Sequence, residues 1–361
     1  MTKLTLQALN RATLHRQWLT TRHEATPLQA LEHLVGMQAQ SPQAPYVGLW
    51  SRLADFNPTE LSTLLETRAA VRGSIMRATI HLMSSRDFLA YRALFQPRLD
   101  REIYQNQTYG RHHLDGLDIP AVLAAGQARL AESPATPTQL RTHLAPLFPN
   151  HPPASLAHAI RCLLPTLQTP PRGLWHQGSN PTLTTADLWL NTPITPNPNP
   201  APLILRYLNS FGPASIQDTQ TWSGLTHLSE VFPHLPLRTY TSPTGQILYD
   251  LPDTPLPPED LPVPVRFLPE YDNLLLSHQD RTRFIPDATR KQLALTEILT
   301  RGAALHNGQV TALWKLHPKA LEIQPITKLA KATRAALESE ARQLLAFAAP
   351  ESTHEVKFLA P

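Results

Sequence analysis

The chain has 361 residues, 42% apolar and 17% charged, with a net charge of +4. This excludes a disordered chain, and the length exceeds what one small core can use, leaving room for two to four domains. A lone cysteine, Cys162, excludes an intrachain disulfide and a cysteine-based zinc site, and no apolar run reaches the roughly 18 residues of a membrane span, so a cytoplasmic protein without membrane partners is expected.

In chain order, Thr26 and Pro27 supply an N-cap and a first helical position, after which Leu28, Leu31, Leu34 and Val35 share one face until Gly36. Ser41 and Pro42 are expected to start a second helix through Val47, Leu49, Trp50 and Leu53. Asn57 and Pro58 start a third through Leu61, Leu64 and Leu65. In "AAVRGSIMRATIHLMS" alternation replaces the helical period: Met76, Ala78, Ile80 and Leu82 share one strand face, Arg77, Thr79 and His81 the other. Three helices and a hairpin form the winged-helix arrangement.

The pattern recurs without sequence identity. Residues 118–165 hold "DIPAVLAAGQARLAE", "TPTQLRTHLAPLF" and "PPASLAHAIRCLL", followed by the β-capable "TLQTPPRGLWHQG". Residues 201–250 hold "APLILRYLNSFG", "ASIQDTQTWSG" and "THLSEVF", then "LRTYTSPTGQILYDL", two strands around a Pro-Thr-Gly turn. The 37 prolines concentrate in segments such as "NTPITPNPNPAP" and "DLPDTPLPPEDLPVPV", which read as extended linkers. The last hundred or so residues are strand-rich, with Asn307-Gly308 as a hairpin turn and one amphipathic helix, "TKLAKATRAALESEARQLLAFA". The expected architecture is α+β: three tandem winged-helix domains in residues 1–112, 113–195 and 196–258, and a C-terminal β-barrel in 259–361.

No lysine occurs between Lys3 and Lys291, so positive charge over most of the chain is carried by arginine, which grips phosphates in forked pairs. The sixteen histidines form no metal-ligating spacing, and with thirteen glycines the chain shows neither a phosphate-cradling loop nor a nucleophile elbow. Neither metal nor cofactor is expected.

In "GMQAQSP", Gln38 and Gln40 flank one alanine in a non-helical turn. Taken alone they are either polar turn residues or a pair of amides offering acceptors and donors on one side. Set beside "RGSIMRATIHLMSSRDF", "FLPEYDNLLLSHQDRTRFIP" and "NGQVTALWK" in the same order along nearly the whole chain, "QAQ" resembles the winged-helix DNA glycosylases of the azinomycin-resistance type, in their Gln-x-Gln branch. The resemblance implies a C-shaped array of winged helices with a β-barrel, acting as a monomer on double-stranded DNA and removing N7-alkylated purines, in some members unhooking interstrand crosslinks. It implies that Gln38 and Gln40 are catalytic. An N7-alkylguanine is already cationic, so its glycosidic bond breaks without protonation of the leaving base. The remaining tasks are to hold a water and to stabilise sugar charge, and neither needs a titrating group.

Arg72, Arg77, Thr79 and His81 are then either an exposed strand face or DNA contacts. His278 and Arg281 contact DNA or form a local network anchored by Asp280. Trp314 reads as barrel packing, with Lys315 beside it a surface charge. With no lysine near Gln38 in sequence, no Schiff-base chemistry and no strand nicking is expected. A nucleoid-associated repair enzyme follows; the rival is a non-enzymatic tandem winged-helix regulator or architectural protein.

Overall fold

Capping decides where most helices begin. In the computed structural model, which describes residues 1–317, 319–350 and 355–361, Thr26 Oγ1 accepts from the Gln29 amide at 3.2 Å and the Gln29 side chain accepts from the Thr26 amide, closing a capping box on the helix Pro27–His33. Asn57 caps Pro58–Glu66 through Oδ1, which accepts from the Thr59 amide at 2.9 Å. The second helix is Ala44–Trp50, two residues later than expected: Ser41 and Pro42 belong to the turn, and Pro45 takes the first helical turn. A further helix, Leu6–Arg16, precedes all three.

The three helices expected in residues 118–165 are Ile119–Glu132, Pro137–Leu144 and Pro153–Leu163. In residues 201–250 two helices form, Ala201–Phe211 and Ile216–Ser223. The third expected helix breaks into short 3-10 turns, Leu228–Glu230 and Phe232–His234, because Pro233 withholds the amide a continuing helix would need.

The first hairpin differs most from its expected form. Its strands are Ala70–Ser74 and Ile80–Ser84, and residues 76–78 are a 3-10 turn in which Arg77 is left-handed (φ 54°) and Ala78 likewise (φ 59°), so the alternation does not run through them. Nor does the ribbon stand free. It is flanked by Met37–Gln38 on one side and by Thr166–Gln168 and Leu183–Thr185 on the other, giving one five-stranded sheet that joins the first and second helical groups. Ala70 and Leu82 pack into one core with Leu31, Leu49 and Leu61, while Val71 and Met83 pack into another with Phe88, Tyr207 and Trp222.

The third hairpin, Arg238–Thr241 with Ile247–Asp250, takes the N-terminal strand Thr2–Lys3 on its edge in parallel. Arg16 from the first helix locks this arrangement with a forked pair to the buried Asp250, at 2.6 and 2.9 Å.

The C-terminal strands run Glu355–Phe358, Ala320–Pro325, Gln309–Leu316, Gly302–His306 and Arg266–Leu268 across one sheet. This sheet is open, not the closed barrel expected. The helix Lys331–Ala348 fills one face through Leu337, Ala341 and Leu344, and Leu14, Leu274, Phe284 and Ile298 fill the other, so the two edges do not meet. His354, expected to begin the last strand, lies outside the described residues. No helix among the described residues is long and apolar enough to cross a membrane.

Candidate active site

Gly36, at φ 86°, ends the helix Pro27–His33 and turns the chain into Met37–Gln38; an added Cβ there would meet Met83 Cβ at 3.0 Å. Gln38 pairs with His81 across the strands, and the Ala39 amide donates to the Ile80 carbonyl at 2.8 Å. The extended backbone sends alternate side chains to opposite faces. Met37 and Ala39 enter the core with Leu31 and Leu82, while Gln38 and Gln40 share the other face, Gln38 buried and Gln40 exposed.

The orientation of both amides follows from one cation. Arg77 Nη2 can only donate, and it lies 2.8 Å from Gln38 Oε1, so the Gln38 NH₂ group points the other way and donates to Gln40 Oε1 at 2.9 Å. Arg77 is itself held by the Trp222 carbonyl and by Asn273 Oδ1 at 3.0 Å, and Asn273 Nδ2 donates to the Gly36 carbonyl at 3.2 Å. Each donor along this chain strengthens the next. The left-handed backbone at Arg77 is the kind of feature that costs roughly 1–3 kcal/mol and persists only where surroundings enforce it. It swings the guanidinium inward onto Gln38.

Arg77 is therefore turned onto Gln38 instead of standing free on a strand face, and three other residues of the expected set, Arg72, His81 and His278, are buried and not on an exposed face. Arg72 is buried, with Nη2 donating to the Ala39 carbonyl at 2.9 Å and to Gln168 Oε1 at 3.2 Å, so it braces the residue between the two glutamines. His81 is buried with Nε2 3.4 Å from Arg77 Nη2 and Nδ1 3.2 Å from the Thr79 carbonyl. His278 is buried between Ser277 Oγ and the Phe211 carbonyl. The cause is common to all: the surfaces assumed to be exposed are covered by neighbouring elements. Thr79 stays half-buried, its hydroxyl donating to the Met76 carbonyl. Arg281 is half-buried and donates from Nε to the Leu275 carbonyl at 2.8 Å. Asp280 takes the Thr282 amide rather than anchoring His278 or Arg281. Gln38, Gln40, Arg77, Thr79 and His81 thus come together, while Arg72 supports them from behind and His278 lies apart.

Burial, and next to it the Arg77 charge, push His81 down from 6.5 to about 3, and burial with the Arg283 charge does the same to His278. Both rings are neutral at pH 7. Below pH 6.5 the unfolded chain takes up protons that the folded chain resists, so stability is full above 6.5 and falls as pH drops toward about 3. Replacing His81 with Asn is expected to make the decline of melting temperature between pH 6.5 and 4 shallower than in the wild type, where His278 continues to contribute. Parallel curves would contradict the assignment.

The sequence does not single out Asn273 or Asp272. Asp272 is buried and grips Arg52 through two bonds of 2.9 and 2.8 Å, and its Oδ1 also caps the 3-10 turn Asn273–Leu276 by accepting from the Leu274 amide. The internal cavity bounded by Gln17, Gly36, Gln38, Arg52 and Asn273 has a volume of about 10 Å³, which is the lower limit for one water. No base fits on that side, which leaves the exposed side of Gln40 as the open face of the pair. Just beyond Gln40 in the chain, the C-terminal sheet folds back over the loop: Ser41, Gln43 and Ala44 share a cleft of about 150 Å³ with Glu270, Trp314 and Lys315, and neither Gln38 nor Gln40 lines it. Trp314 is buried and Lys315 exposed. Distance in sequence from Gln38 therefore does not keep an amine away from this loop. Burial raises the Glu270 carboxyl, partly countered by Lys315. No group of three or more metal-ligating side chains occurs among the described residues.

The family model for AlkZ-like DNA glycosylases matches residues 31–347. Among solved structures, the Streptomyces sahachiroi DNA glycosylase AlkZ has the same fold, with a TM-score of 0.76 over 99% of this chain and 100% of that one at 17% identity. No curated protein sequence matches the chain. With most of its length covered by that family model, the chain belongs to the AlkZ-like DNA glycosylases.

Proposed function

We propose that the chain is a monofunctional glycosylase that releases N7-alkylated purines from double-stranded DNA, with interstrand crosslinks as a second substrate class, and that Gln38 and Gln40 perform the chemistry. The observation that carries this reading is the hydrogen-bonded chain from Arg77 through Gln38 to Gln40, which ends at an exposed amide. As the bond between C1′ and N9 lengthens, its electron pair leaves with a base already positively charged, and the sugar becomes cationic. The Gln40 carbonyl, polarised through Gln38, presents negative partial charge to that cation. The remaining lone pair on the Gln40 carbonyl oxygen accepts from a water and turns its oxygen toward C1′, while Gln38 holds the Gln40 amide in place. The water oxygen bonds C1′ and its surplus proton passes to solvent. A preorganised dipole suffices because the substrate supplies the leaving group's charge, and neutral nucleotides are spared for the same reason.

Arg281, half-buried and bonded through Nε, is the phosphate contact retained from the expected set, and monomeric action on duplex DNA is part of the proposal. Family membership favours this enzyme over a regulator. The test is incubation of the purified protein with N7-methylguanine duplex and with crosslinked duplex. Release of free base is expected, leaving an abasic strand that breaks only with heat or alkali. Borohydride is expected to trap no covalent adduct, because the glutamines and not an amine form the connected network. An adduct mapped to Lys315 would overturn the hydrolytic reading.

A further inference from the structure

Away from the glutamines, the helices Pro137–Leu144 and Pro153–Leu163 enclose a groove of about 240 Å³. Arg141, His158, Arg161 and Tyr109 line it, with Ala154 and Ala157 adding only small side chains. No carboxylate is among its lining residues. Arg141 makes no side-chain hydrogen bond or ion pair among the described residues, and Arg161 has a single partner, His158 Nδ1, at 3.1 Å. Both guanidinium groups line one groove with most of their donors free of protein partners, and an anion bound there would take them.

Tyr109 gives the groove an aromatic wall. Its ring lies 5.2 Å from that of His158, and the residue is 39% exposed. The loop that carries it is fixed: Asn106 Oδ1 accepts from the amides of Thr108 and Tyr109, each at 3.0 Å, and a Cβ on Gly110 would lie 2.0 Å from the Ile103 carbonyl oxygen. His158 is held neutral, pushed down to about 4 by burial and by Arg161, with Glu102 acting in the opposite sense. Since its Nδ1 accepts from Arg161, its Nε2 carries the proton and faces Cys162 Sγ at 3.7 Å. The imidazole therefore aims the Arg161 guanidinium and adds no charge of its own.

An exposed aromatic face beside paired arginines is the combination that recognises single-stranded nucleic acid: cations hold the backbone and the ring stacks on a base. Inside a duplex both faces of a base are covered by its neighbours, so this wall suits a nucleotide that has left the stack. The groove is smaller than the roughly 300–1,000 Å³ of drug-sized ligand sites, on the scale of one nucleotide. We propose that it binds one unpaired nucleotide of a DNA strand, the phosphate held by Arg141 and Arg161 and the base stacked on Tyr109. The site is separate from Gln38 and Gln40. It rests on the chain binding DNA, not on the glutamine chemistry.

The test uses the full-length protein, with a duplex carrying a one-nucleotide bulge, the matching perfect duplex, the 5′-phosphorylated thymidine dinucleotide and inorganic phosphate as probes. Wild-type protein is expected to prefer the bulged duplex by roughly tenfold, the scale of one stacked base. Tyr109→Ala is expected to abolish that preference while leaving affinity for perfect duplex and excision of N7-methylguanine unchanged, and Tyr109→Phe to retain it. The dinucleotide is expected to shift the His158 ring resonances in wild type but not in the Arg141→Ala, Arg161→Ala double variant. Excision lost from all forms while the bulge preference survives would overturn the glycosylase proposal and leave this one standing. Equal affinity of wild type for the two duplexes, or an undiminished preference in Tyr109→Ala, would overturn it. Displacement of the dinucleotide by an equal concentration of inorganic phosphate would also do so, leaving a simple anion site.

Discussion

Alanine at Gln38 or at Gln40 is expected to lower the single-turnover rate of N7-methylguanine excision on the order of 100-fold, the usual cost of removing one preorganised donor or acceptor. DNA affinity is expected to change less than twofold. Gln40 is exposed and its loss disturbs no core. Gln38→Ala leaves Arg77 with the Trp222 carbonyl and Asn273 as partners, so the fold is expected to survive. Gln38→Glu sharpens the test: a carboxylate still accepts from Arg77 but cannot donate to Gln40, and it is expected to be impaired although nearly isosteric. Wild-type rates in both alanine variants would remove the glutamines from the mechanism.

The largest effect on stability is expected from Asp272→Ala. It leaves the buried Arg52 guanidinium without its forked partner, a change that typically costs about 3–5 kcal/mol, against a total stability of roughly 5–15 kcal/mol. It also removes the cap on the turn that presents Asn273 to Arg77. Melting temperature and excision rate are therefore expected to fall together. Replacing both partners with apolar residues, Arg52→Met with Asp272→Leu, is expected to recover most of the stability and little of the activity, because the cap is still missing. Full recovery of excision in that double variant would show that the turn does not position Arg77.

What the sequence disclosed was local. Thr26 and Asn57 mark helix starts because capping depends on neighbours three or fewer residues away, whereas Ser41, read the same way, falls in the turn before its helix. Asn307-Gly308 marks a hairpin because both residues tolerate positive φ, 49° and 78°. Alternation around Gln38 and Gln40 puts them on one face. What stayed hidden depends on tertiary packing. No local rule turns an arginine left-handed, so Arg77 reads as a strand residue facing DNA when it clamps Gln38 across the sheet. Arg72 and His81 read as exposed because a lone ribbon has one solvated face, whereas this ribbon is packed on both. Asp272 and Asn273 lie more than 230 residues beyond the glutamines they support, and the C-terminal sheet stays open because helix and core fill the faces that a barrel would have turned inward.

Glu270 is the carboxyl group lining the cleft beside the glutamine loop, and it is the natural rival to a mechanism run by amides. Its raised proton affinity would suit a general base, which must be ionised to work, so a rate that depended on it would fall as pH drops toward its pKa. The direct measurement is the single-turnover excision rate of N7-methylguanine from about pH 5 to 8, in wild type and in Glu270→Gln. Since neither amide titrates and His81 stays neutral, the expected result is a nearly flat profile from about pH 6 to 8 that Glu270→Gln leaves unchanged. A rate that climbs with pH in the wild type and collapses in Glu270→Gln would contradict glutamine-assisted hydrolysis and make the carboxylate the base.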